Sequence, residues 1–368
     1  MSGPIYLGIV GVGGVGNALL EQLGQIHNAP KLVLLSRSSH TLLVPTPAYS
    51  PCIPFVDWDT AAATPSINKV KALTPEEIAT YLASAPGRAI LVDNTSNLAL
   101  AQQYPIFLKQ GISIVTPNKK GFADELSLWD DIFASAAQGN ALVYHQATVG
   151  GSLPVLSTLR DLIATGDEII RIEGVLSGTL SLLFDTYMPA ADTSDTQWSA
   201  LVTHALEIGF MEPDPRDDLN GMDFARKLTI LARVVGLQVA RPESFPVESL
   251  IPAELVSLPS SKAGIARFMD ELPKFDGRMA LARKTAQEQG KVIRYVGSID
   301  VPGKAIRVGL QHLDKGNPIA NLNGSQIVSI YTKRYGATPL VLKGGGGGGE
   351  VTAMCVMADL LKLLERLR

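Results

Sequence analysis

An α/β fold is predicted for this chain: a doubly wound sheet first, then an α+β region with a mixed sheet. Three observations carry it. A short apolar run ends in a glycine-rich turn that opens a helical pattern, strand-like and helix-like stretches alternate up to about residue 150, and beyond that point longer strands are separated by long helices.

Ile5–Val10 is nearly continuous in apolar residues, as a parallel strand buried on both faces requires. Gly11-Val12-Gly13-Gly14-Val15-Gly16 follows, and Leu19, Leu20, Leu23 and Ile26 then recur at helical spacing across 18–26. Residues 31–35, 89–92 and 112–115 read as further strands, separated by helical patterns at 75–82 and 100–109. This rhythm predicts parallel pairing. Later, residues 168–176, 292–301, 305–310 and 327–332 read as longer strands, with a prominent helix over 223–235. The chain closes on PLVLK, a glycine run at 344–349 and an amphipathic helix over 351–367. We therefore expect a dinucleotide-binding domain over 1–150, completed by 338–368, and a second domain over 151–337.

The 368 residues are 46% apolar and 18% charged with net charge −3, an ordinary globular balance. Lys and Arg are scattered without a basic block, which argues against nucleic acid. Cys52 and Cys355 are the only cysteines and lack CxxC spacing, so neither a disulfide framework nor a zinc site is expected. The first apolar stretch lacks a basic leader, and no apolar run approaches the ~18 residues of a membrane span. A cytoplasmic location is expected.

Gly11-x-Gly13-x-x-Gly16 lies between a strand and a helix, the context that raises this motif above chance. In a Rossmann-type domain the first glycine permits a tight turn, the second lets backbone approach a pyrophosphate, and the third allows close packing. The N–H groups around Gly14 and Val15 would meet phosphate oxygens at the helix start. A glycine-rich turn in an unliganded domain is the bland alternative. The second strand ends in Ser36-Arg37-Ser38-Ser39-His40, without the carboxylate that usually binds a ribose 2′-hydroxyl. Arg37 could pair with a 2′-phosphate, helped by serine hydroxyls, or could be a surface arginine. NADP is expected, with NAD accepted. Asn94, Thr95 and Ser96 follow the third strand at the carboxyl edge where such sheets bind ligands; Thr95 or Ser96 could also cap the next helix. Lys119 follows the fourth strand in the same way.

Residues 212–227 read EPDPRDDLNGMDFARK. Pro213 and Pro215 exclude helix before them, and Asp223 and Lys227 stand at i and i+4 near a helix start. Alone, that pair reads as an exposed ion pair worth about 0.3–0.5 kcal/mol. The density of acids before it points to water or a cationic group such as a substrate ammonium.

The run from Ala205 to Lys227 resembles the signature of homoserine dehydrogenases. VDNTS (92–96), TPNKKGF (116–122) and RIEGVLSGTLS (171–181) resemble its fungal, monofunctional branch, as do SFPV (244–247) and SLIP (249–252). The resemblance spans essentially the whole chain, with no regulatory domain expected. It implies reduction of L-aspartate 4-semialdehyde to L-homoserine with NADPH or NADH, on the route to threonine and methionine. By resemblance Lys227 is the general acid/base and Asp223 its partner; Glu212, Asp218 and Asp223 face the substrate ammonium. Lys119 serves the cofactor and the substrate carboxylate, and Thr95, Gly209 and Gly348 match cofactor or substrate contacts. Homodimers paired through the second, catalytic domain are implied. Ser177-Gly178-Thr179 could bind substrate or cap a helix, and capping is the preferred reading.

Two departures stand out. Fungal relatives resemble one another at a sodium loop, HEATVGAGLP, whereas this chain reads HQATVGGSLP over 145–154. Gln146, Val149, Gly151 and Leu153 remain candidate ligands for a monovalent cation, without the anionic side chain a hard cation favours. The run 344–349 is all glycine where relatives alternate glycine and alanine, which predicts a mobile loop near the cofactor. Two rivals are discounted: an aspartate-semialdehyde dehydrogenase needs an activated cysteine, and neither Cys52 nor Cys355 lies beside a motif; a non-catalytic NADP-sensing module is opposed by the intact Asp223–Lys227 pair.

Overall fold

Strand β1 (Ile5–Val10) lies at the middle of a seven-stranded sheet in the computed structural model, which describes residues 3–191, 194–346 and 348–368. The chain divides into two compact units, Met1–Pro154 with Gly347–Arg368, and Val155–Gly346. In the first unit β1 leads through α1 (Gly14–Leu23) to β2 (Lys31–Ser36), β3 (His40–Leu43), α2 (Trp58–Ala62), β4 (Asn68–Lys71) and α3 (Pro75–Ala83). There follow β5 (Arg88–Asp93), α4 (Leu98–Ala101), α5 (Tyr104–Lys109), β6 (Ser113–Val115), α6 (Lys120–Ala123), α7 (Leu126–Gln138) and β7 (Val143–Tyr144).

The strand order is β4-β3-β2-β1-β5-β6-β7. The five strands from β2 to β7 pair in parallel, and Leu7, Ile9, Leu32–Leu35 and Ile90–Val92 are fully buried, as helices on both faces require. The expected parallel sheet needs one correction. β3 and β4 add an antiparallel edge that the reading omitted. They are four residues each, and the NKVK of β4 is largely exposed, so neither carries an apolar run. The single helix expected over 100–109 is two, α4 and α5. Pro105 lies in the first turn of α5, where its missing N–H and its ring forbid continuation from the preceding turn.

The second unit runs through α8 (Val155–Ala164), β8 (Ile169–Val175), α9 (Gly178–Tyr187), α10 (Trp198–Glu207), α11 (Arg216–Leu219), α12 (Met222–Val234), α13 (Lys262–Glu271) and α14 (Asp276–Glu288). It then forms β9 (Lys291–Asp300), β10 (Ala305–Asp314), β11 (Ser325–Thr332) and β12 (Leu340–Gly345). The sheet order is β10-β9-β8-β11-β12, and every strand pair in it is antiparallel. The mixed sheet expected here is thus corrected: mixing occurs in the first unit. Short connections force this, since the four residues between β9 and β10 cannot carry a parallel crossover. The segment 338–346, expected with the dinucleotide-binding domain, falls in the second unit, where β12 is the edge strand paired with β11. α12 packs its apolar face on β9, with Phe224 and Leu228 over Gly297.

Helix α15 (Gly349–Leu367) returns to the first unit and packs along α1. Gly347, part of the predicted glycine loop, lies outside the described residues.

Candidate active site

The turn after β1 is set by sterics. Gly11 has φ +92°, and its N–H donates to the Ser36 carbonyl at 2.9 Å, tying the turn to the end of β2. A side-chain carbon at Gly11 would meet the Asn94 carbonyl carbon and the Thr95 methyl at 2.9 Å; one at Gly16 would collide with the Gly11 carbonyl oxygen. Only glycine fits at both positions. Gly13 and Gly14 face open space, Gly13 at the N-cap of α1 has no side chain to bond its first turn, and Val15 is half-buried. Backbone N–H groups there suit an anion. Gly348 stands at the N-cap of α15, also without a side-chain cap.

A 480 Å³ cavity adjoins this turn, lined in part by Gly11, Arg37, Ser38, Thr95 and Ser96. Arg37 is more than a surface arginine: it is half-buried, its guanidinium carbon lies 4.8 Å from the Trp58 ring centroid, and its Nε is buried without a hydrogen-bond partner. Trp58, which sequence reasoning missed, is held at the start of α2 by Asp57, whose carboxylate accepts the Asp59 and Thr60 N–H groups at 3.0 Å. Of the expected serine helpers, Ser36 is spent internally, its hydroxyl 2.8 Å from that of Thr41. Ser38 is exposed.

At the carboxyl edge of β5 the organising group is Asp93, fully buried. Its carboxylate accepts from the Tyr104 hydroxyl at 2.6 Å, the Asn118 side chain at 3.0 Å and the Thr95 N–H at 2.8 Å. Asn118 also donates to the Asn97 carbonyl at 3.0 Å. The loops after β5 and β6 are thereby fastened to each other, with half-buried Lys119 at the N-cap of α6. The N-cap of α4 is Asn97, which accepts from the Leu100 N–H at 3.3 Å; the expected capping by Thr95 or Ser96 is corrected. Thr95 instead accepts from the Asn97 N–H at 3.1 Å.

The residue expected as the acid–base group lies in the second unit. Lys227 lies in α12 with its Nζ 2.8 Å from Asp223 and 2.5 Å from the Leu176 carbonyl, to which it donates. The lysine side chain is only 12% exposed against 42% for Asp223, so the exposed-pair reading fails. Leu176 directly follows β8 and is itself buried; nothing in the sequence marked its carbonyl. Ser177 next to it caps α9, accepting from the Leu180 N–H at 3.2 Å, as preferred.

Asp218, in the first turn of α11, accepts the Glu212 N–H at 2.8 Å. Burial lifts its carboxyl above the ordinary value, opposed by the Glu212 N–H and the Thr179 hydroxyl and assisted by the Asp223 and Asp217 charges. Thr179, in the segment expected to bind substrate or, by preference, to cap a helix, stands beside the acids through its contact with Asp218. Asp214 does not. It forms a two-pronged pair with buried Arg216, at 2.8 and 2.6 Å, which holds its carboxyl below the usual range. Glu212 is exposed, and Gly209 is the left-handed residue ending α10, where the Phe210 N–H reaches the Ala205 carbonyl at 2.9 Å.

The cation candidates do not fit an ion as arranged. The Gln146 Nε2 donates to the Leu153 carbonyl at 3.0 Å, so two of the four expected ligands are engaged with each other. Val149 is fully buried, and Gly151 has φ +50°. Among the described residues no cluster of His, Cys, Asp or Glu suits a metal. Of the free cysteines, Cys355 has its thiol pushed up by burial, the reverse of the activation a thiohemiacetal route needs.

Residues 11–146 match the family described as "Homoserine dehydrogenase, NAD binding domain", and residues 154–361 match "Homoserine dehydrogenase". A homoserine dehydrogenase of Emericella nidulans is 65% identical over 368 residues, 100% of each chain. This chain belongs to the homoserine dehydrogenase family. The family's two regions part between 146 and 154, next to the boundary of the two compact units at Pro154. A crystal structure of a Candida auris protein of unknown function aligns with TM-score 0.90 and 43% identity, covering 99% of both chains. A hyperthermophilic archaeal homoserine dehydrogenase mutant solved with NADPH shares the fold, at TM-score 0.70 and 23% identity over 99% of this chain and 98% of that one. Among the described residues no helix is long and apolar enough to cross a membrane.

Proposed function

We propose that the chain catalyses the reversible reduction of L-aspartate 4-semialdehyde to L-homoserine, with NADPH preferred and NADH accepted. When bound, the dinucleotide supplies the hydride. The turn at Gly11–Gly16 offers N–H groups to its pyrophosphate, and Arg37 with Ser38 offers donors to a 2′-phosphate. Lys227 stabilises the oxygen that gains charge and gives it a proton; in the reverse direction it accepts that proton. Asp223 orients the ammonium through an ion pair at 2.8 Å. Glu212, Asp218 and Asp223 bind the substrate ammonium, and Lys119 its carboxylate. The observation that carries this reading is Lys227, a largely buried cation held by one acid and one carbonyl beside a cluster of carboxylates.

The test is turnover of NADPH with L-aspartate 4-semialdehyde against succinate semialdehyde, which keeps the aldehyde and carboxylate but lacks the ammonium. We expect turnover of the first and kcat/KM lower by at least about tenfold for the second, the loss of one charge-assisted contact. Equal use of both would remove the role of the acids, and no turnover of either would overturn the reading. The family resemblance further supports a homodimer paired through the second unit, and the two free thiols suit a reducing cytoplasm.

A further inference from the structure

We infer that Gln146 takes the part of a monovalent cation in the turn over residues 146–153, so that the protein closes this turn itself and needs no ion there. A glutamate at 146 and main-chain carbonyls are all acceptors, and they converge only around a cation. Glutamine has nearly the shape of glutamate but carries two N–H donors. Here Nε2 donates to the Leu153 carbonyl at 3.0 Å, and Gln146 is 6% exposed. Reversing the amide would set two acceptor oxygens face to face at that distance in a buried place, which the hydrogen-bond network excludes.

The surroundings reinforce the assignment. The Gln146 backbone N–H donates to Asp359 of α15 at 2.7 Å, and that carboxylate is 2% exposed. A glutamate at 146 would instead set a buried carboxylate against the Leu153 carbonyl, acceptor against acceptor. With the amide, no charge is added. The rest of the turn is tied without an ion: the Leu153 N–H reaches the Gly150 carbonyl at 3.0 Å, the Ser152 N–H reaches the same oxygen, and the Thr148 hydroxyl reaches the His145 carbonyl at 2.7 Å. A cation entering here would have to displace an existing donor from Leu153. This assignment is independent of which aldehyde is reduced.

The test is thermal unfolding of the full chain in sodium, potassium and choline chloride at equal ionic strength, with the sodium NMR line width as a second readout. The parent protein should keep one Tm within about 1 °C in all three salts, and should cause no saturable sodium broadening that potassium reverses. Gln146→Leu, which deletes the bond, should lower Tm by about 2 °C in every salt alike. Gln146→Glu should be less stable in choline chloride and recover in sodium chloride. A parent protein stabilised by sodium but not choline, saturable sodium broadening, or a Gln146→Glu variant indifferent to sodium would each overturn the assignment. If Gln146→Glu does not fold, the parent salt series and Gln146→Leu still decide it.

Discussion

Arg37 stacks on Trp58 while its Nε is buried without a partner, so an anion in the adjoining cavity would meet an unsatisfied donor. Arg37→Ser should therefore raise the KM for NADPH by about tenfold to a hundredfold and change that for NADH by less than about threefold, in steady-state kinetics with both cofactors. Equal loss for both would assign Arg37 to folding. Asp218 makes a second residue-scale prediction. Its carboxyl is raised by burial, so protonation as pH falls sets in above the usual aspartate range, and the protonated form cannot attract an ammonium. The KM for the aldehyde should rise on the acid side, and Asp218→Asn should have a higher KM that lacks this acid limb. Stability runs the other way: the folded state holds this proton more tightly, so the contribution is present below the ordinary aspartate value and is lost as pH rises through the raised one. At this scale the sequence was legible where partners are local. Asp223 and Lys227, four apart on a helix, could be paired on spacing alone. The Leu176 carbonyl, 51 residues from Lys227, and the Trp58 ring under Arg37 leave no periodic mark.

The loops after β5 and β6 are separate elements that Asp93 makes into one. Removing its carboxylate leaves the Tyr104 hydroxyl only its longer contact to Thr116 at 3.2 Å, strands an Asn118 N–H in the interior and frees the Thr95 N–H. Asp93→Ala should cost about 3 kcal/mol of stability and raise the cofactor KM, measured by denaturant unfolding and by steady-state kinetics. If unfolding alone responds, the network serves the fold and not the cofactor loops. Several element boundaries were hidden for physical reasons. β3 and β4 are short edge strands whose side chains need not be apolar, so composition could not reveal them. β12 was recognisable as a strand, but its neighbour is fixed by antiparallel pairing with β11, which a single apolar run does not encode. The strands buried on both faces, β1, β2 and β5, were legible because that environment demands continuous apolar sequence.

On the scale of the whole molecule, the chain leaves its first unit after Pro154 and returns to it from Gly347, with α15 laid along α1. Gly349 approaches Gly14 so closely that a side-chain carbon there would lie 3.0 Å from its carbonyl carbon, which gives the end of the glycine run a packing reason. The two units divide the labour in the proposed reaction: the first carries the dinucleotide turn and Arg37, the second the acids and Lys227. The division of the chain was visible in the change of strand rhythm near residue 150, whereas the pairing direction in each sheet depended on connection lengths that apolar patterning does not fix. All of this serves one claim, that a buried ammonium stabilises and protonates the aldehyde oxygen. The most direct measurement is turnover of L-aspartate 4-semialdehyde by Lys227→Met at saturating NADPH, with NADPH affinity determined on the same preparation. Unchanged cofactor affinity is expected, with kcat lower by about 10²–10⁴-fold. A variant that binds NADPH normally and turns over within about threefold of the parent would contradict that claim.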